Sequence, residues 1–118
     1  MAPHEIVLFL HLVRMASEQG RMTYRRDRAK NRSTLETLGW TVSAMLEHVT
    51  TISPEQALCL PRKNRHPDFG WERTCEFGTR VHGKDIYVKM TVFGDEHQAR
   101  GCVLSFHFAE KPLVFPFA

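Results

Sequence analysis

The chain has 118 residues, 42% of them apolar, which suits one ordinary domain with one core and is too little for two. Lys and Arg total 16 against 13 Asp and Glu, a net charge of +3 that by itself points to no partner; its distribution says more. Three cysteines, far apart and odd in number, argue against a disulfide framework and read as reduced, buried thiols of a cytosolic protein; seven histidines with no His-x3-His spacing and no Cys-x2-Cys partner argue against a structural zinc.

In chain order, residues 4–19 read as a first helix. Ile6, Phe9, Leu10, Val13 and Ala16 recur at helical spacing, and Gly20 is placed to end it. Val7, Leu8, Leu12 and Met15 widen the apolar surface beyond one stripe, so the helix is either deeply buried or meets a partner as well. The stretch does not read as a secretory signal: no basic residue precedes it, His11 interrupts it and no clear cleavage site follows. It is also far shorter than the ~20 residues that span a bilayer. The expectation is a cytoplasmic protein without membrane association.

A basic run follows: Arg21, Arg25, Arg26, Arg28, Lys30 and Arg32, with Asp27 the one acid. Residues 33–38 look like a second helix ended by Gly39. Thr41 caps a short third helix with Val42, Met45, Leu46 and Val49 on one face. Ser53-Pro54-Glu55-Gln56 is a capping-box start for a short fourth helix that ends by Pro61. Residues 61–70 hold two prolines, Asn64 and Gly70 and read as a loop, which carries a second basic cluster, Arg62, Lys63 and Arg65. Such clusters bind phosphate backbones with release of condensed counterions, a solvated surface being the plainer alternative.

From Trp71 the period becomes alternating. Trp71, Arg73, Cys75 and Phe77 fall on one side, Glu72, Thr74 and Glu76 on the other, and Gly78 and Gly83 frame a turn. Ile86, Val88, Met90 and Val92 then alternate with Tyr87, Lys89 and Thr91. After a turn at Gly94-Asp95-Glu96, Cys102, Leu104, Phe106 and Phe108 form the core side of a last strand, with Val103, Ser105 and His107 opposite. The tail 110–118, with Pro112 and Pro116 among apolar residues, has no assignment. Helices first and strands after give an α+β fold in one domain, residues 1–118, with N-terminal helices packed on one face of an antiparallel β-sheet. The other face is open and carries Glu72, Thr74, Glu76, Tyr87, Lys89, Thr91, Ser105 and His107.

A polar sheet face needs no functional explanation by itself. A strand Tyr is commonly a packing residue with a wet hydroxyl, and a strand Lys or Glu a cross-strand charge pair. Together, though, Tyr, Lys, His and Glu on adjacent strands are the types that cleave RNA without metal. The 2′-hydroxyl must lose a proton, the leaving 5′-oxygen must gain one, and the phosphorane between them carries added negative charge. Imidazole serves the proton transfers, and fixed cations serve the charge.

The residues also resemble a family. Ile86-Tyr87-Val88-Lys89-Met90-Thr91-Val92 resembles the central strand of the MqsR branch of the RelE-like bacterial toxins, with its Tyr-x-Lys-x-Thr-Val pattern. Val103-Leu104-Ser105-Phe106-His107 resembles their final strand, which ends in Val-Ser-Phe and a catalytic basic residue. Leu38-Gly39-Trp40, Met45, Ile52-Ser53-Pro54-Glu55-Gln56 and Gly20-Arg21-Met22 extend the likeness collinearly from about Gly20 to His107. The resemblance implies a RelE-like microbial RNase fold, cleavage of mRNA, free or ribosome-bound, no cofactor or metal, and a cognate antitoxin protein. It also implies catalytic residues, His107, Tyr87, Lys63 and Glu72; the basic clusters and the polar face supply the RNA-binding candidates Arg21, Arg25, Arg26, Arg28, Arg62, Arg65 and Lys89. Two positions depart from the family. His107 stands where it has Lys, bringing a group type that titrates nearer neutrality. Glu72 stands where it has Gln, bringing a carboxylate that repels phosphate. The segment 95–100 and the apolar tail exceed the family outline. The competing readings are a non-catalytic RNA-binding or regulatory module on the same fold, and a structural protein that assembles through its apolar first helix.

Overall fold

The apolar spacing of the first helix decides where the core forms. In a computed structural model, which describes residues 2–68 and 70–118, α1 spans His4–Glu18 and buries Ile6, Phe9, Leu10, Leu12, Val13 and Ala16. Phe9 meets Phe77 at 5.7 Å between ring centroids, so the helix stripe lies directly on the sheet. The helix ends in a Schellman motif: Gly20 takes φ +68°, its N–H donates to Ser17 and that of Arg21 to Ala16. Among the described residues β1 (Met22–Tyr24), α2 (Ala29–Leu38), α3 (Val42–Val49), a 3₁₀ turn (Pro54–Gln56), β2 (Arg62–His66), β3 (Gly70–Val81), β4 (Lys84–Phe93) and β5 (Arg100–Phe108) follow. Thr41 caps α3, its hydroxyl accepting the Ala44 N–H at 3.0 Å. No helix of the described residues is long and apolar enough to cross a membrane.

The fold is α+β, as expected, but the sheet is mixed. Its order is β1-β5-β4-β3-β2, with β1 parallel to β5 and the other pairs antiparallel. β1 lies hidden in the basic run because it is three residues long and buries only Met22. Beyond Tyr24 the edge of β5 would be bare, and α2 covers it. Asn31, 1% exposed, accepts the Phe106 N–H at 3.1 Å and donates to Leu104 O at 3.1 Å; Thr34 accepts the Phe108 N–H at 3.3 Å. Two polar side chains thus finish a ladder that would otherwise offer itself to another strand. This docking also explains why α2 begins at Ala29, four residues before the helix expected at 33–38.

Other expectations are corrected. Residues 61–70 are not a loop: Arg62–His66 pairs with Gly70–Thr74 as an edge strand. The capping box is real, with Gln56 Oε1 accepting the Ser53 N–H at 2.8 Å, but it starts only one 3₁₀ turn. The chain is then drawn onto β3, where Ala57 bridges Phe77 and the Leu58 N–H donates to Glu76 O. Gly78 lies inside β3 rather than in a turn, and the hairpin turns at His82-Gly83, both at positive φ as a two-residue loop requires. A bulge in β5 opposite Lys89 and Met90 puts Ser105 against Lys89 and Val103 against Met90, so Leu104 is the extra residue. Val103 is therefore the core residue, fully buried, and Cys102 shifts to the polar side. Of the three free cysteines only Cys75 is buried; Cys59 and Cys102 are half-buried.

Candidate functional site

Strand pairing turns the polar face into a grid. One row reads Gly78, Tyr87, His107; the next Glu76, Lys89, Ser105; then Thr74, Thr91, Cys102; and at the far end Glu72, Phe93, Arg100. The first two rows hold the chemistry. Tyr87 and His107 are cross-strand neighbours with ring centroids 5.3 Å apart and planes tilted by 34°. His107 Nδ1 lies 3.0 Å from the Phe108 carbonyl oxygen. A carbonyl only accepts, so Nδ1 carries the proton in that bond and Nε2 is the nitrogen left to exchange one.

The Tyr87 hydroxyl donates to Glu76 Oε1 at 2.5 Å, while Glu76 Oε2 accepts from Arg62 at 3.2 Å and from the Cys59 thiol at 3.5 Å. The Tyr87 bond, aided by Arg62 and Lys89, holds the Glu76 carboxyl below its usual range. Burial first, and Glu76 second, push the Tyr87 phenol well above its usual value. The pair is thus a carboxylate and a protonated phenol, and Tyr87 acts as a fixed donor and ring surface rather than as a base. In the next row Lys89 stands between Glu76 and Ser105, and Arg28 reaches over β5 to bond Leu104 O at 3.2 Å and the Ser105 hydroxyl at 3.4 Å. Arg62 and Lys89 therefore put positive charge on Glu76 behind Tyr87 and Arg28 puts it on Ser105, while the Glu110 carboxylate interacts with His107.

The chain matches no family model, no curated protein and no solved structure. The geometry must carry the reading alone.

It brings some sequence candidates together and separates others. His107, Tyr87, Lys89, Arg28 and Arg62 meet. Lys63 does not join them: odd positions of β2 share the helix-side face with Trp71 and Arg73. There the Lys63 ammonium sits 4.5 Å from the centroid of the Trp71 ring, with the Arg65 guanidinium at 5.7 Å. Glu72 lies on the polar face, but pairs with Phe93, six residues along β4 from Tyr87, or about 20 Å at the strand rise. It accepts the Thr91 hydroxyl at 2.9 Å, a structural bond. Arg21 sits beside the far end of β5, its carbonyl accepting the Gly101 N–H. Arg25 is held by Asp27 through two bonds of 2.9 Å, which draw the Asp27 carboxyl down to about 2. Arg26 is exposed and gives its carbonyl to Arg32. Among the described residues no group of three His, Cys, Asp or Glu is arranged to hold a metal ion.

Sequence reasoning placed Glu76 on this face without giving it a role. Its partner Tyr87 sits one row away and its partner Arg62 on a strand that the prolines disguised. The tail was missed altogether. The Ala109 N–H donates to Asp85 O, Lys30 pairs with Glu110 at 2.7 Å, and the chain then folds back over the polar face. Leu113 and Phe115 come so close above Gly78 that a Cβ there would stand 2.7 and 2.8 Å from their side chains.

Proposed function

We propose that this chain is an endoribonuclease, the toxin of a type II toxin–antitoxin pair that acts on mRNA in the cytoplasm, on a fold of the RelE and MqsR kind. The observation that carries the reading is the Tyr87–His107 pair, with His107 Nδ1 anchored, Nε2 left over, and Arg28 and Arg62 bonded to the neighbouring Ser105 and Glu76. In this reading His107 Nε2 takes the proton of the 2′-hydroxyl. The 2′-oxygen bonds to phosphorus, the P–O5′ bond breaks, and the imidazolium returns a proton to the 5′-oxygen. The products are a 2′,3′-cyclic phosphate and a 5′-hydroxyl. Lys89 and Arg28 hold the charge that grows on the phosphoryl oxygens. Tyr87, fixed by Glu76, orients the imidazole and offers its ring to the substrate. An antitoxin that covers this face would silence the protein.

The test is incubation with single-stranded RNA in EDTA, with product ends identified. The expected result is cyclic-phosphate ends and their loss in His107→Ala. Intact RNA with folded wild-type protein, free and in the presence of ribosomes, contradicts the proposal.

A second reading, an RNA-binding module without cleavage, draws on a different observation. The basic ribbon of Lys63, Arg65 and the half-exposed Trp71 lies on the opposite face from His107. Cations and an aromatic ring at that spacing hold single strands without chemistry.

A further inference from the structure

The tail does not lie flat on the site. It stands off from the Tyr87–His107 pair and borders an open cleft of about 640 Å³ between them. The pair lines it from the sheet, with Glu76 and Leu58 beside it; Glu110, Pro112, Leu113 and Val114 line it from the tail. The two ends of the tail's span are held down, Glu110 by Lys30 and Leu113 with Phe115 on Gly78. Val114 between them is 75% exposed, an apolar side chain left to water beside the best-furnished polar cluster of the molecule.

We propose that this pocket holds one nucleobase of the RNA, next to the phosphate attacked by the 2′-oxygen that His107 deprotonates, and that the tail is the specificity element of the site. The inference rests on the endoribonuclease reading. A base has two flat apolar faces and a polar edge. The pocket offers aromatic and aliphatic walls for the faces, and the Glu76 carboxylate for the edge, which leaves His107 Nε2 to the 2′-hydroxyl. A strap that shut the site would fill the space, whereas this one leaves room for a ring and lends it a hydrophobic wall. Lys111 stands at the same wall, where the phosphates on either side of the base must pass.

Gly78 gives a handle that replaces neither Tyr87 nor His107, although it stands opposite Tyr87 in the same row. A Cβ there meets first the ends of Leu113 and Phe115, at 2.7 to 2.9 Å, so Gly78→Val must push the tail away. Leu113→Ser with Val114→Ser removes the wall and leaves β3 untouched. The four nucleoside 3′-monophosphates are titrated into the full chain and followed by the NMR signals of the His107 ring and the Leu113 and Val114 methyl groups. At least one saturates and moves both sets together, and each variant weakens it at least tenfold. Absence of saturation with all four, equal affinity in both variants, or the same shifts at the same affinity from inorganic phosphate overturns the proposal. Cleavage separates the two ideas. If wild-type protein cuts RNA with no preference for the flanking base, the pocket inference falls and the endoribonuclease reading stands. If a nucleotide binds under the tail but no RNA is cut, the reverse holds.

Discussion

Two regions of the molecule hold cations beside aromatic rings, and they differ in what those cations face. At one end of the polar face Arg62 and Lys89 act on Glu76, which holds Tyr87, and Arg28 bonds Ser105 and the Leu104 carbonyl on the strand of His107. On the helix side of the sheet edge, Lys63 and Arg65 lie over an exposed Trp71. The first region has a proton-exchanging group, fixed charge and an open cleft. The second has charge and a ring. Charge beside an aromatic therefore does not distinguish a reactive site from a grip, and the presence of an anchored imidazole does.

The largest expected effect comes in cells. Production of the wild-type chain in a bacterium without an antitoxin should stop growth within a few generations. His107→Ala should restore it, and Lys63→Ala with Arg65→Ala should leave most of the arrest in place. Normal growth with abundant folded wild-type protein would break the comparison at its root.

A smaller effect is expected at Tyr87. Its hydroxyl is committed to Glu76, so Tyr87→Phe should slow cleavage by about tenfold, well short of the 10²–10⁴ that a general acid or base contributes. It should also lower unfolding stability by about 1 kcal/mol, the net worth of one hydrogen bond, read from the urea midpoint. A loss as large as that of His107→Ala would mean that the phenol itself carries a proton.

The ribbon should show itself in salt rather than in rate. Replacing Lys63 and Arg65 by alanine should flatten the dependence of log affinity on log salt by about 0.7 for each cation that contacts phosphate in single-stranded RNA. Single-turnover cleavage at saturating RNA should hardly change. An unaltered slope would make the pair a surface staple on Trp71.

The smallest effect concerns pH. His48 donates to or accepts from Thr79 at 2.9 Å and packs edge-on against Trp40 and Phe106; burial holds its imidazole below the usual value. The native chain then binds fewer protons than the unfolded one, so His48 contributes full stability above the ordinary imidazole range of ~6.5 and loses it as pH falls below. Urea unfolding at pH 7 and pH 5 should show a steeper loss for wild type than for His48→Gln. Equal losses would remove His48 from the account.

How much of this was legible in the sequence depended on whether burial left a period behind. α1 was readable because six buried residues follow one stripe and Gly20 ends it. β4 was readable because Ile86, Val88, Met90 and Val92 are all fully buried, while Tyr87 and Lys89 between them are only partly so. β2 has no such trace: it is an edge strand with four exposed residues, so no alternation marks it. The parity of Cys102 and Val103 was unreadable because a bulge adds one residue without a sequence mark at that place. The residue types of the site were visible on the polar face, but which of them meet depends on register. Register set Glu76 beside Tyr87, moved Lys63 to the other face and carried Glu72 to the far end. The tail was illegible for a different reason: it has no period, and its place is fixed by the space above a glycine.

The central claim is that the His107 end of the polar face performs chemistry on RNA. It is tested most directly by single-turnover cleavage of a short RNA in EDTA by wild-type protein, His107→Ala and Lys63→Ala, each checked for folding. The account predicts a loss of about 10²–10⁴ for His107→Ala with RNA affinity retained, and a rate within a few-fold of wild type for Lys63→Ala. Wild-type rates for His107→Ala would contradict it.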